Sequence, residues 1–162
     1  MWQRRQITKE QAFQKLRHYC AYQERCHGEV KEKAYSFGLR KADVEELLSD
    51  LIQEGYLNEE RFAIAFAGGK FRIKQWGKTK IRYALRQKGV SEYCIRAGLK
   101  AIDEDEYRKT FLKLANGKWK TIRGPGVNQY VKMSKTRDYL LQKGYEAEII
   151  NAFIASRSEK QG

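Results

Sequence analysis

Apolar residues recur at intervals of three and four along most of this chain, and strand-like alternation is weak throughout, so the pattern predicts helices. Thr8 followed by Gln11 has the form of a capping box, and Ala12, Phe13, Leu16, Tyr19 and Cys20 supply the apolar stripe of a first helix. The pattern breaks around Gly28. Val30, Ala34, Tyr35 and Phe37 then make a second, short helix that stops at Gly38. A third helix carries Val44, Leu47, Leu48, Leu51 and Ile52 and ends at Gly55. The same succession returns twice. Gly38, Gly89 and Gly144 stand 51 and 55 residues apart. Four residues before each lies Ala34, Leu85 or Leu140; six after comes Val44, Ile95 or Ile150; ten after comes Leu48, Leu99 or Ile154. A fixed period of about 50 residues of helical sequence marks a tandem array whose units share a core and present a long surface.

The reading is therefore an all-α fold: an elongated, curved array of three three-helix repeats with about nine helices. The repeats cover residues 1–56, 57–102 and 103–156, with a frayed tail at 157–162. In the second repeat Asn58 is the N-cap and Phe62, Ala63, Phe66 and Ala67 form the buried stripe. Gly68-Gly69 and the segment from Phe71 to Trp76 follow, then a helix from about Lys78 to Lys88, and Ser91 with Glu92 opens the next. The third repeat starts near Asp103 to Asp105, buries Tyr107, Phe111, Leu112 and Leu114, and passes through Gly117 and Gly124-Pro125-Gly126, its least regular part. It closes with a last helix bearing Ile149, Ile150, Phe153 and Ile154, beyond which Ser156 to Gly162 should fray.

Charge adds a partner to this scaffold. The chain of 162 residues carries 33 Lys+Arg against 20 Asp+Glu, a formal +13. The excess is uneven: ten bases face nine acids through Tyr56, eleven face six from Leu57 to Asp105, and twelve face five beyond. Arg61 to Ser91 and Tyr107 to Arg137 each hold nine bases and no acid. Such windows predict a surface for a polyanion. The basic second helix of the middle repeat turns Ile81, Ala84 and Leu85 inward and leaves Lys78, Arg82 and Arg86 four apart on another side, widened by Lys80 and Lys88. Lys70, Arg72 and Lys74 precede it, interleaved with Phe71 and Trp76. These eight bases are the contact candidates, through phosphate contacts that are salt-dependent and nearly blind to sequence. The two rings could stack on bases, although core packing is the commoner use of aromatics beside a short helix.

Other chemistry is thin. Gly77-Lys78-Thr79 resembles the end of a phosphate-binding loop, but Arg72 occupies the place of the required earlier glycine and no apolar strand precedes it, so a helix entrance is the better reading. His18, Cys20, Cys26 and His27 lie close in sequence without a CxxC or HxxxH pair, which favours ordinary core and surface roles over zinc. No nucleophile, base and metal set converges, so an enzyme is disfavoured and no cofactor is expected. Three cysteines form no scaffold pattern and fit reduced thiols. No apolar run reaches a membrane span, and the opening Met1 to Gln6 leads into polar sequence, so a cytoplasmic protein is expected; a finished array with polar outer helices has no unpaired apolar face, so a monomer is the default.

Several blocks resemble the RecX family of recombination regulators: Gly55-Tyr56-Leu57-Asn58-Glu59-Glu60-Arg61-Phe62-Ala63, then Trp76-Gly77-Lys78 with Ile81, Leu85 and Lys88-Gly89-Val90, and finally Tyr139-Leu140 with Lys143-Gly144-Tyr145 and Ile150. The first repeat matches more loosely, with Gly28-Glu29-Val30 in place of the usual S-x-x-E-L. This resemblance implies three tandem three-helix repeats and a partner, the RecA recombinase filament on single- or double-stranded DNA. Family members act in recombination, DNA repair and the SOS response by occupying the filament groove and hindering ATP turnover and strand exchange; no catalytic residues are implied. The competing reading is an autonomous nucleic-acid-binding protein with helix-turn-helix-like units.

Overall fold

The computed structural model describes residues 7–160. Among them are nine α-helices and no strand: α1 (Lys9–Tyr22), α2 (His27–Ser36), α3 (Lys41–Gln53), α4 (Glu59–Lys74), α5 (Lys78–Gln87), α6 (Glu92–Lys100), α7 (Glu104–Thr121), α8 (Gln129–Lys143) and α9 (Ala147–Lys160). None of these helices is long and apolar enough to cross a membrane. The opening six residues, read above for a targeting segment, lie outside the described residues.

The anticipated punctuation is visible in the backbone. Thr8 and Gln11 form the reciprocal capping box of α1; Asn58 accepts from the Arg61 amide at 2.9 Å; Asp103 accepts from Asp105 and Glu106 at the start of α7. Gly38, Gly89 and Gly144 all take positive φ, at 83°, 76° and 97°. After two of them the next amide reaches back five residues, Val90 to Leu85 and Tyr145 to Leu140, each at 3.1 Å, closing the preceding helix as a left-handed cap does. The equivalent apolar positions fall in the core: Ala34, Leu85 and Leu140, and Val44, Ile95 and Ile150, are all essentially inaccessible to solvent.

Gly55 likewise ends α3 with φ 79°, but Gly68, Gly69 and Gly117 do not act as stops. The sequence ends a helix before Gly68-Gly69, yet α4 runs through both to Lys74; likewise α7 runs through Gly117 to Thr121. An interior glycine costs a helix only about 1 kcal/mol relative to alanine, and burial of Phe71 and Trp119 beyond these positions outweighs it. The apolar stripe of α7 is Tyr107, Phe111, Ala115 and Trp119, whereas Leu112, expected inside, is 41% exposed. At the other end α9 continues through Lys160 instead of fraying after Ser156. Arg157 lies over the Phe153 ring, and the Ser158 hydroxyl reaches the Met133 sulfur at 3.6 Å.

The chain divides into two units, one of Met1–Ala65 with Leu85–Gly98 and the other of Phe66–Ala84 with Leu99–Gly162. In the first, Ala12, Leu16, Cys20, Val30, Ala34, Val44, Leu47, Leu51 and Leu57 form the core. In the second, the core is a run of rings: Phe71 on Tyr107 at 5.6 Å, Tyr107 and Phe111 each on Tyr145 at 5.3 Å, and Phe111 and Trp119 each edge-on to Phe153.

Two phenols anchor that second core. Tyr107 donates to Glu146 at 2.6 Å and accepts from the Lys78 amide at 3.0 Å, while Tyr145 donates to the Gln75 carbonyl at 2.9 Å. Burial pushes both hydroxyls well above their ordinary value near 10, and for Tyr107 the bond to Glu146 adds to the shift. The unfolded chain releases these protons at about pH 10 and the folded one holds them longer, so their contribution to stability is intact below about pH 10 and declines as the pH climbs beyond it. Melting temperature should therefore fall above pH 10, with up to about 1.4 kcal/mol per pH unit lost for each phenol. The decline should be shallower in Tyr107→Phe and in Tyr145→Phe; slopes equal to the parent chain would contradict this account.

A candidate nucleic-acid interface

Lys70, Arg72 and Lys74 belong to the last turns of α4, not to a segment between helices. Gln75, the one non-glycine residue with positive φ among the described residues (58°), turns the chain there. The Tyr145 hydroxyl fastens its carbonyl, and the Lys143 ammonium donates to the Lys74 carbonyl at 3.3 Å. The turn delivers Trp76 half-buried at the surface of the second unit. Around its ring stand three ammonium groups, with Lys80 at 4.7 Å from the centroid, Lys70 at 5.0 Å and Lys74 at 5.8 Å. Lys70 also lies 5.4 Å from the Phe66 ring, and Lys80 reaches the Gln142 carbonyl at 3.4 Å.

A ring face holds an ammonium by its quadrupole, worth about 0.5–1 kcal/mol at an exposed site, without cancelling its charge. Among the described residues none of these three lysines has a carboxylate within ion-pair distance. Lys70, Lys74 and Lys80 thus form a positioned, uncompensated cationic collar, while Phe71, the other interleaved aromatic, is core. The guanidinium of Arg72 folds back over Gly68, and Arg82 is exposed on α5.

The remaining candidates do not share this state. Lys78 donates to Glu104 at 2.6 Å, covers the Tyr107 ring at 4.7 Å, and has a side chain only 19% exposed, so it fastens α5 to α7 within the second unit. Arg86 and Lys88 belong to the first unit. There the Arg86 guanidinium donates to Glu92 at 2.6 Å, which pushes its pKa up, and Lys88 stands 3.5 Å from Glu29. The anticipated track of Lys78, Arg82 and Arg86 is divided because two of its three cations meet carboxylates, Lys78 that of Glu104, 26 residues on, and Arg86 that of Glu92 at the start of the next helix. Sequence reasoning missed Lys143, which lies 69 residues beyond Lys74.

The resemblance of Gly77-Lys78-Thr79 to a phosphate loop also has a structural answer. At the start of α5 the Gly77 amide donates to the Lys143 carbonyl at 2.8 Å, the Lys78 amide to Tyr107, and the Thr79 amide to the Gly144 carbonyl at 2.9 Å. Those helix-end donors are spent on protein acceptors, and no phosphate can take them. His18, Cys20, Cys26 and His27 are not gathered either: Cys20 is core, Cys26 donates to Glu29 at 3.2 Å, and His27 faces Glu59.

With this geometry in place, comparison with known proteins assigns the chain. Residues 58–99 match the model for the second three-helix domain of RecX, and residues 104–154 match that for the third, together more than half the chain. The chain belongs to the RecX family. It is 29% identical to "Regulatory protein RecX" of Clostridium perfringens (strain 13 / Type A) over 126 residues, which is 78% of this chain and 58% of that protein. Against "Regulatory protein RecX" of Bacillus mycoides (strain KBAB4) it is 25% identical over 144 residues, 88% of this chain and 52% of the other. The chain thus spans little more than half the length of these curated RecX relatives. The crystal structure of RecX from Lactobacillus salivarius superposes with a TM-score of 0.81 at 20% identity, covering 91% of this chain and 95% of that one, which establishes a shared fold.

Proposed function

We propose that this chain is a non-enzymatic regulator of homologous recombination and DNA repair that binds a RecA recombinase filament on DNA. In this reading it occupies the filament groove and inhibits ATP hydrolysis and strand exchange. The single observation that carries the proposal is the uncompensated lysine collar around Trp76, in a chain whose curated relatives are named as RecX regulatory proteins. Three positioned ammonium groups suit phosphates, whose neutralisation releases counterions and gives affinity largely independent of sequence. In this reading the chain keeps three three-helix repeats at 1–56, 57–102 and 103–156, an architecture that suits a large partner better than a small buried ligand. Inhibition then follows from occupancy, acting as a monomer without bond-making.

The decisive experiment is DNA-stimulated ATP hydrolysis by purified RecA. The rate should fall when this protein is added well below one copy per recombinase subunit. A rate unchanged at equimolar protein overturns the proposal.

A further inference from the structure

The opening repeat has nearly balanced charge along the sequence, but its surface does not. Lys15, His18, Tyr19 and Tyr22 follow one another at steps of three, one and three on α1, which places them on one stripe that flanks the core stripe of Ala12, Leu16 and Cys20, with Tyr19 partly buried against the core. Arg25, from the turn after α1, and Lys33, from α2, complete an open hollow of about 540 Å³. Every polar side chain that lines it is basic or phenolic, and none is a carboxylate.

Four acids of this unit are already paired. Glu46 takes Lys9, Glu54 takes Arg17, Glu24 takes Arg61, and Glu29 lies between Arg25 and Lys88. Lys15 and Lys33 of the hollow are held by rings instead, and Arg25 by a ring as well as by Glu29. Arg25 stacks on Tyr19 at 3.7 Å, Lys33 lies 5.6 Å from Tyr19 and 5.9 Å from Phe37, and Lys15 lies 5.8 Å from Phe37. Among the described residues Lys15 and Lys33 have no carboxylate within ion-pair distance. Their N–H donors remain available, as they are around Trp76. Tyr22, 83% exposed, adds a bare ring at the rim.

We infer that this hollow on α1 and α2 is a second nucleic-acid contact, taking single-stranded DNA or RNA with Lys15, Lys33 and His18 toward phosphates and Tyr22 stacked on a base. Single strands suit it because their bases are free to leave the backbone and lie on an aromatic face, an interaction tolerant of sequence. A double helix would offer only phosphates and leave the Tyr22 ring unused. An acidic polypeptide would likewise use the cations alone.

The inference extends the polyanion part of the proposed function to the first unit, and it is tested without any recombinase. The full chain is titrated with fluorescent oligothymidylate, and a 5-iodouracil-substituted strand is photo-crosslinked to it and mapped by tryptic peptides. Tyr22→Ala should weaken binding about fivefold or more, and Lys15→Glu with Lys33→Glu about tenfold. Adducts should appear in peptide 18–25 and vanish in the Lys15→Glu/Lys33→Glu chain. All three side chains are exposed, and an unchanged thermal melt certifies folding. Unaltered affinity in both variants, or displacement of the strand by polyglutamate with no adduct in 18–25, overturns the inference. Loss confined to Lys70→Glu/Lys74→Glu/Lys80→Glu would overturn this second site and leave the collar standing; loss confined to Lys15→Glu/Lys33→Glu would do the reverse.

Discussion

Alanine at Gly144 is expected to destabilise the protein by about 3–4 kcal/mol, about two to three times the effect of alanine at Gly38. Both glycines end the middle helix of a repeat with positive φ, and a residue with a Cβ pays about 1–2 kcal/mol for that conformation. Around Gly38 the added methyl meets open space. At Gly144 it would lie 2.8 Å from the Lys80 amide nitrogen and overlap the Lys80 Cβ, both parts of α5 that cannot move alone. The crowding is mutual. A Cβ at Gly77 would overlap the Gly144 carbonyl and the Tyr145 amide, because the Gly77 and Thr79 amides are bonded to the Lys143 and Gly144 carbonyls. Overpacking a contact made of backbone costs about 1–3 kcal/mol more, and 3–4 kcal/mol is a large share of a typical domain's 5–15 kcal/mol. Urea unfolding of the two variants measures the difference. Midpoints lowered equally would show that the α5–α8 crossing yields easily and that the energetic argument is wrong.

Reversing the three collar charges, Lys70→Glu/Lys74→Glu/Lys80→Glu, should weaken binding to a DNA duplex or single strand of the order of a hundredfold at low salt. It should also lower the slope of log affinity against log salt by about 2–3, since each duplex phosphate neutralised contributes about 0.9. Anisotropy titrations across a salt series read both quantities. Lys78→Ala is the informative control. Its ammonium is already engaged by Glu104 and the Tyr107 ring, so it should leave the slope unchanged while lowering the melting temperature. Arg86→Ala should also leave the slope intact, because Glu92 holds that guanidinium. Equal slopes for the triple variant and the parent would remove the collar from the interface, whatever happens to recombinase activity.

These controls mark the limit of what a charge count can see. Nine bases without an acid between Arg61 and Ser91 state a local excess, but not which of them meets a carboxylate folded in from elsewhere. Glu104 reaches Lys78 across 26 residues and Glu29 reaches Lys88 across 59. In the opening repeat the count misleads in the other direction. Ten bases and nine acids nearly cancel along the chain, yet the helices carry Lys9 and Arg17 to the acids of α3 and leave Lys15 and Lys33 on rings. Aromatics divide similarly. Phe71 and Trp76 are neighbours in sequence, but only the turn at Gln75 takes one into the core and the other beneath three lysines.

What the sequence determined by itself is local and periodic: the nine helical segments among the described residues, caps at Thr8, Asn58 and Asp103, the positive φ of the repeating Gly38, Gly89 and Gly144, and the buried positions four before and six after each of these. Those features follow from side-chain spacing and backbone sterics within a few residues, which any stretch of chain carries with it. Only the tertiary structure decided that α4 and α7 run through their glycines, that Gly144 but not Gly38 is a point of close approach, and which lysines keep their charge uncompensated. Each of these depends on atoms tens of residues apart meeting at a few ångströms, where overlap, desolvation and Coulomb attraction are strongest, and no pattern along one strand of sequence records who meets whom.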